Sequence, residues 1–285
     1  MTRAALLLLA SMLCFPLHAQ LPVKSYGQEL VDQVVAKNPQ LLVIALHASP
    51  PSYPIVASNI GRIGKPADED DMRVITTEKT NLETAHGGTR FEVELVLRDV
   101  AGENIGALGL VFPYQTGDDK DVLEKRAAAI RDWLASRILD AGGLVEHHPY
   151  DPLATTKTHA QKLLDETLSK HPEVIGLALH ATPPKGKSNI ILASNFGHVG
   201  KAASDDDLKV IGSGEPIVGV YGEGKRYGVE LPLRDSANKT IGALSVGFRF
   251  KSGEPEKPFL AKAEKLRAEL QERIASLEKL VELDP

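Results

Sequence analysis

Cysteine is nearly absent from this chain of 285 residues. The single one, Cys14, lies in the first twenty positions. From position 20 onward no disulfide, iron–sulfur cluster or cysteine-rich zinc site can be built. Clustered basic residues are missing too, and the formal net charge is −5. That balance argues against a nucleic-acid partner, whose binding leans on grouped Lys and Arg. Apart from the N-terminus, no run approaches the roughly 20 apolar residues a membrane helix needs. Catalytic signatures are lacking as well. There is no G-x-S-x-G, no HE-x-x-H and no cysteine nucleophile, and Glu94 and Glu230 supply one matched carboxylate in each half rather than an acid–base pair. The chain is expected not to be an enzyme and to need no metal or other cofactor.

What is present begins with MTRAALLLLASMLCFPLHAQ. Arg3, an apolar core from Ala4 to Phe15 and the Leu17-His18-Ala19 exit read as a secretory signal peptide, residues 1–19, cleaved after Ala19. Ser11, Met12 and Leu13 lack the small residue expected beside a lipidated cysteine, so cleavage is preferred to a lipid anchor. The expected location is the periplasm or the outside of the cell.

The remainder is written twice. LVIALHASPP at 42–51 returns as IGLALHATPP at 175–184, which places His47 and His180 at equivalent positions. IVASNIGRIGKPADEDDMRVI is answered by ILASNFGHVGKAASDDDLKVI, and RFEVELVLRD by RYGVELPLRD. Each copy is expected to open with a helix, Gln28 to Lys37 in the first, stopped by Asn38-Pro39 or His171-Pro172. A strand buried on both faces follows, at 41–47 and 174–180. Then come a short strand (55–58, 191–194), a glycine turn and a short helix capped by Asp68 or Ser204. A third strand is expected at 81–86 and 216–221. The fourth alternates cleanly, with Phe91, Val93, Leu95 and Leu97 on one face, and a hairpin joins it to a fifth, NIGALGLVF or TIGALSVGF. A closing amphipathic helix is continuous in the second copy from Lys257 to Leu283. The domains are read as 27–140 and 159–283, with a Gly-, Pro- and His-containing linker at 141–158. This is an α+β layout of two tandem domains, each a five-stranded antiparallel sheet with flanking helices.

The strand VIALHA or IGLALHA, the ASN-x-G-x-x-GK segment and the EL-x-LRD hairpin, in that order, resemble the PAS-like extracellular sensor fold called Cache. The resemblance spans nearly all of the chain after its leader, once per copy. It implies a small organic ligand, such as a carboxylate or an amine, and a membrane-bound signalling or transport partner. It transfers no binding residue by motif.

The candidate site residues come from the chain itself. His47 and His180 end a buried strand, where the preferred reading is a core histidine bonded to a backbone carbonyl, and the alternatives are ligand contact or ligation of a metal or haem iron. Gly176, Ala178, Ala243, Ser245 and Gly247 form a small-residue face in the second copy that either admits a closely packed helix or leaves room for a ligand. Arg90 and Arg226 begin the fourth strand. With Tyr221 and Tyr227 nearby, Arg226 is a candidate carboxylate clamp. Ser194 ends the second strand, with its side chain either in a pocket or bonded to the turn. Arg98-Asp99 and Arg234-Asp235 are expected to brace the hairpin turns. The second copy is the expected ligand site and the first its structural counterpart, with a haem- or metal-binding protein and a ligand-free scaffold as the alternatives. The apolar stripe Leu266, Leu270, Ile274, Leu277 and Val281 is a candidate homodimer contact.

Overall fold

The computed structural model describes residues 24–284, so the expected leader and Cys14 lie outside the described residues. The first unit runs α1 (Tyr26–Lys37), β1 (Val43–Ala48), β2 (Ile55–Ser58), α2 (Glu69–Thr77), β3 (Asn81–Ala85), β4 (Arg90–Arg98), β5 (Asn104–Pro113) and α3 (Lys120–Ala135). The second repeats it as α4 (His159–Lys170), β6 (Val174–Ala181), β7 (Ile190–Ser194), α5 (Asp205–Ser213), β8 (Ile217–Tyr221), β9 (Arg226–Arg234), β10 (Thr240–Arg249) and α6 (Lys257–Arg273), with a short α7 (Leu277–Leu280) added. Each unit has one five-stranded sheet, ordered β2-β1-β5-β4-β3 and β7-β6-β10-β9-β8, with every pairing antiparallel. This is the α+β arrangement expected of two tandem PAS/Cache-like domains.

Local chemistry sets the ends of the helices. Ser25 and Thr158 accept hydrogen bonds from Gln28 N and Gln161 N and so start α1 and α4. Asp68 and Ser204 cap α2 and α5 as expected, each within a reciprocal capping box closed by Asp71 or Asp207. One face of each sheet is apolar and carries the long helices. In the second unit Leu177, Leu179, Val229, Leu231 and Val246 pack with Leu163 and Leu164 of α4 and Leu266 and Leu270 of α6. The opposite face carries the short helix: α2 lies against β4 and β5, and α5 against β9 and β10.

The paired histidines sit where register slips between the first two strands of each unit, at Leu46/His47 and at Leu179/His180. The fifth strand comes in close at the same level. A Cβ at Gly106 would lie 1.8 Å from the carbonyl oxygen of His47, and one at Gly242 1.8 Å from that of His180. The glycine of both IGAL segments is therefore demanded by the bend in the histidine strand.

The C-terminal helix departs from expectation. It ends at Arg273, Ile274 is extended (φ −95°, ψ 100°), and Ser276 caps α7 by accepting from Lys279 N. The break turns Leu280 back against α4, and Leu266, Leu270, Ile274 and Leu280 are all buried in the second core. Leu277 and Val281, the other two members of the expected stripe, are partly buried against the same core, so the stripe packs within this chain.

The units also touch each other. The Tyr26 hydroxyl donates to the carbonyl of Asn195 at 3.4 Å, Asn195 Nδ2 to Ser136 O at 2.9 Å, and Arg226 to Leu139 O at 2.8 Å. Segment 141–158 is held to both: His148 N bonds Lys24 O and Tyr150 N bonds Val199 O, each at 2.9 Å, and Leu144 is buried. Among the described residues no helix is long and apolar enough to cross a membrane.

Candidate functional site

The second sheet carries a row of four glycines running straight across its strands. Gly176 on β6 pairs with Gly247 on β10, Gly247 with Gly228 on β9, and Gly228 with Gly219 on β8. The same row in the first sheet is Val43, Val111, Glu92 and Glu83. Pairing register places each row on a single face, because side chains alternate along a strand. On the face away from α4 and α6, the second unit thus has a floor without side chains where the first has four.

A cavity of about 470 Å³ opens over that floor. Its walls include the start of α5, the loop carrying Phe196, and Leu139 from the end of the first unit. Tyr221 lies on the floor: a Cβ at Gly247 would come within 2.6 Å of its hydroxyl, and one at Gly228 within 3.2 Å of its ring.

Four polar side chains converge beside the glycines. Ser245 Oγ is 2.9 Å from His180 Nε2 and donates to Glu230 Oε2 at 2.5 Å. On the other side of the ring, His180 Nδ1 is 3.4 Å from Asp207 Oδ2 and makes no aligned hydrogen bond. Asp207 accepts from Ser204 N (2.8 Å) and Ser204 Oγ (2.7 Å), so the helix cap holds this carboxylate against the histidine. Burial, together with the charges of Asp207 and Asp206, pushes the Glu230 carboxyl up to about 8, against the opposing hydrogen bond from Ser245. Burial lowers the pKa of His180 in spite of Asp207.

The first unit keeps the acids and the histidine without the serine. His47 Nδ1 lies 3.0 Å from Tyr53 O, the backbone contact preferred for it, and its Nε2 is 3.5 Å from Asp71. Ligand oxygens of Asp68, Asp71 and Glu94 lie within 4.8 Å of one another. Asp68 and Asp71 are at the same time the capping box of α2, and Glu94 accepts from Asn81 Nδ2 at 2.9 Å. Burial, with the nearby aspartates adding to it, moves Glu94 up to about 7. His47 and His180 sit in separate sheets, and each turns both ring nitrogens toward protein groups.

Of the residues singled out from sequence, the structure brings His180 and Tyr221 to the cavity, with Gly176, Ser245 and Gly247 from the small-residue face. The others lie elsewhere. Arg226 donates to Leu139 O, stacks on the Tyr221 ring at 5.3 Å and is 4.0 Å from Asp99, so the candidate carboxylate clamp instead joins the two units. Tyr227 faces the opposite side of the sheet, stacked on Phe259 at 5.0 Å. Ser194 is buried and donates to Gly197 O, as its turn-bonding reading required. Arg90 contacts His86 at 3.3 Å near the end of its hairpin. Asp99 and Asp235 brace their turns, each accepting two backbone N–H bonds.

Sequence reasoning weighed Glu230 only as half of an acid–base pair, and assigned Asp207, Gly219 and Gly228 to no site. A usable signal existed for the acids, since Asp71/Asp207 and Glu94/Glu230 match between copies just as the histidines do. Alternation from Tyr227 also places Gly228 and Glu230 together on the face away from the core.

No family model and no curated protein matches this chain. Among solved structures, the crystal structure of PelD 158-CT from Pseudomonas aeruginosa PAO1 is 17% identical, covering 89% of this chain and 79% of that one, with a TM-score of 0.28.

Proposed function

We propose that this chain is a sensor-type binding protein whose second unit holds a small organic molecule over the glycine row, while the first unit is its structural counterpart. The observation that carries the reading is the row itself. Two copies of one sheet differ at Gly176, Gly247, Gly228 and Gly219 by the removal of four side chains, and buried polar groups converge beside the space left. A mostly apolar concavity with a few directed polar groups is the ordinary form of a small-molecule site. The leader pattern at positions 1–19 supports an exported protein that presents this ligand to a membrane-bound signalling or transport partner.

Thermal-shift screening of small organic molecules tests the reading, with Gly247→Val alongside the wild type. A ligand that binds only the folded state raises stability by RT ln(1 + [L]/Kd). Compounds that stabilise the wild type should fail on the valine variant, which recreates the first unit's Val111. Equal shifts on both proteins would remove the glycine row from the site.

A further inference from the structure

With Glu230 ionised, the hydrogen-bonding groups of the cavity are short of protons. Two carboxyls, Asp207 and Glu230, line the cavity together, and the hydroxyl of Ser245 and the ring of His180 link them in a chain. Ser245 has one proton for two neighbours, His180 Nε2 and Glu230. If Ser245 gives it to Glu230, the ring must donate from Nε2, which leaves the bare Nδ1 facing the Asp207 carboxylate. If Nδ1 carries the proton, Ser245 must donate to Nε2, and Glu230 has to supply a proton of its own. Either arrangement leaves an acceptor unfilled or requires Glu230 to be protonated. The basic groups at hand are directed elsewhere: Arg226 donates to Leu139 O, and Lys201 sits 5.0 Å over the Tyr150 ring and 3.7 Å from Glu146. A carboxylate ligand would bring more acceptors and more negative charge to a place already in excess of both. An ammonium brings three donors and the opposite charge.

We propose that the molecule taken up by this cavity is a protonated organic amine, its ammonium held by Asp207 and Glu230 and its carbon body lying on the glycine row beside Tyr221 and Phe196. This rests on the binding function assigned above and narrows its ligand to one class. The buried Nδ1 of His180, on a residue of the cavity wall, makes no aligned hydrogen bond although Asp207 lies 3.4 Å away, so a polar group is left unsatisfied at the same spot. Binding is coupled to a proton. Glu230 is faced by Asp206 and Asp207 from α5, His180 from β6, Ser245 from β10 and Tyr221 from β8, with Lys201 on the cavity rim and Arg226 of its own strand stacked on the far side of Tyr221. In that setting it carries its proton at neutral pH. When the ammonium arrives, the Glu230 O–H bond breaks, its proton passes to the buffer, and the carboxylate left behind accepts from the ammonium.

Three probes built on one phenylpropyl body separate the possibilities: 3-phenylpropan-1-amine, 3-phenylpropanoate and 3-phenylpropan-1-ol, each at millimolar concentration against the protein. The amine alone should raise the melting temperature. Calorimetry in two buffers of different ionisation enthalpy should show most of one proton released per amine near neutral pH. Glu230→Gln should weaken amine binding about tenfold or more, the loss of one charge-assisted hydrogen bond, and should abolish proton release. Glu94→Gln, at the equivalent position of the first unit, should change neither. Circular dichroism establishes that both variants are folded. Tighter binding of the carboxylate or the alcohol, or amine binding indifferent to Glu230→Gln, overturns the amine assignment and leaves the cavity reading standing. Silence from all three probes on a folded wild type overturns both.

Discussion

His180 meets Asp207 through Nδ1 at 3.4 Å, whereas His47 meets Asp71 through Nε2 at 3.5 Å. One pair is thus built twice with the imidazole turned over. In the first unit Nδ1 is occupied by Tyr53 O, in the short loop after β1. In the second the loop is three residues longer, and Ser245 stands where the first unit has Gly109, so Nε2 finds a hydroxyl on the sheet and Nδ1 swings to the helix. A glycine-to-serine difference one strand away reorients the ring and links it to Glu230.

Glu230 should make the stability of the protein fall as pH rises. Its folded pKa of about 8 stands above the ordinary 4.5, so between those values the folded chain binds more protons than the unfolded chain. Stability contributed by that proton is present at low pH, is lost as pH climbs toward 8 and is level beyond it. Burial of His180 acts in the opposite direction below 6.5, where stability drops on acidification. Comparison of wild type with Glu230→Gln cancels the histidine. The variant should gain on the wild type by on the order of 1 kcal/mol per pH unit through the window, read from urea unfolding at about pH 5, 7 and 9. Parallel curves would mean that Glu230 titrates normally.

Two tyrosines six residues apart should behave oppositely. Tyr227 is core, with its ring stacked on Phe259 and its hydroxyl 3.3 Å from Glu256. Tyr227→Ala should cost about 3–5 kcal/mol by chemical denaturation, and Tyr227→Phe should leave ligand affinity unchanged. Tyr221 lies on the glycine floor, and Tyr221→Ala should alter affinity while costing little stability. A Tyr227→Phe protein with impaired binding would contradict this division.

Arg226 and Arg90 occupy equivalent positions but differ in burial. Arg226→Ala removes the bond to Leu139 O and leaves buried Asp99 without its nearest cation, so a loss of about 1.5–3 kcal/mol is expected. Arg90→Ala, at an exposed hairpin end, should stay within about 0.5 kcal/mol. A double-mutant cycle of Arg226→Ala with Asp99→Asn should show coupling between the units, and strict additivity would show that the 4.0 Å contact carries none.

Much of this was open to reading from residues in a row. Duplication set the element order of both units. Alternation puts Phe91, Val93, Leu95 and Leu97 on one face, and the same rule applied to their counterparts sends Tyr227 to the core and Gly228 and Glu230 to the other side, against the carboxylate-clamp reading of Tyr227. Capping chemistry placed Asp68 and Ser204, because a cap is a contact over three residues. Of the small-residue face, Gly176, Ser245 and Gly247 line the cavity. What sequence could not supply were meetings between groups distant in the chain. Arg226 finds Leu139 of the other unit, Tyr221 folds over glycines on two neighbouring strands, and the helix after Arg273 breaks so that Leu280 can reach α4. Local periodicity says which way a side chain points. Which partner waits there depends on strand register and on the docking of the two units, and both are settled only when the whole chain packs.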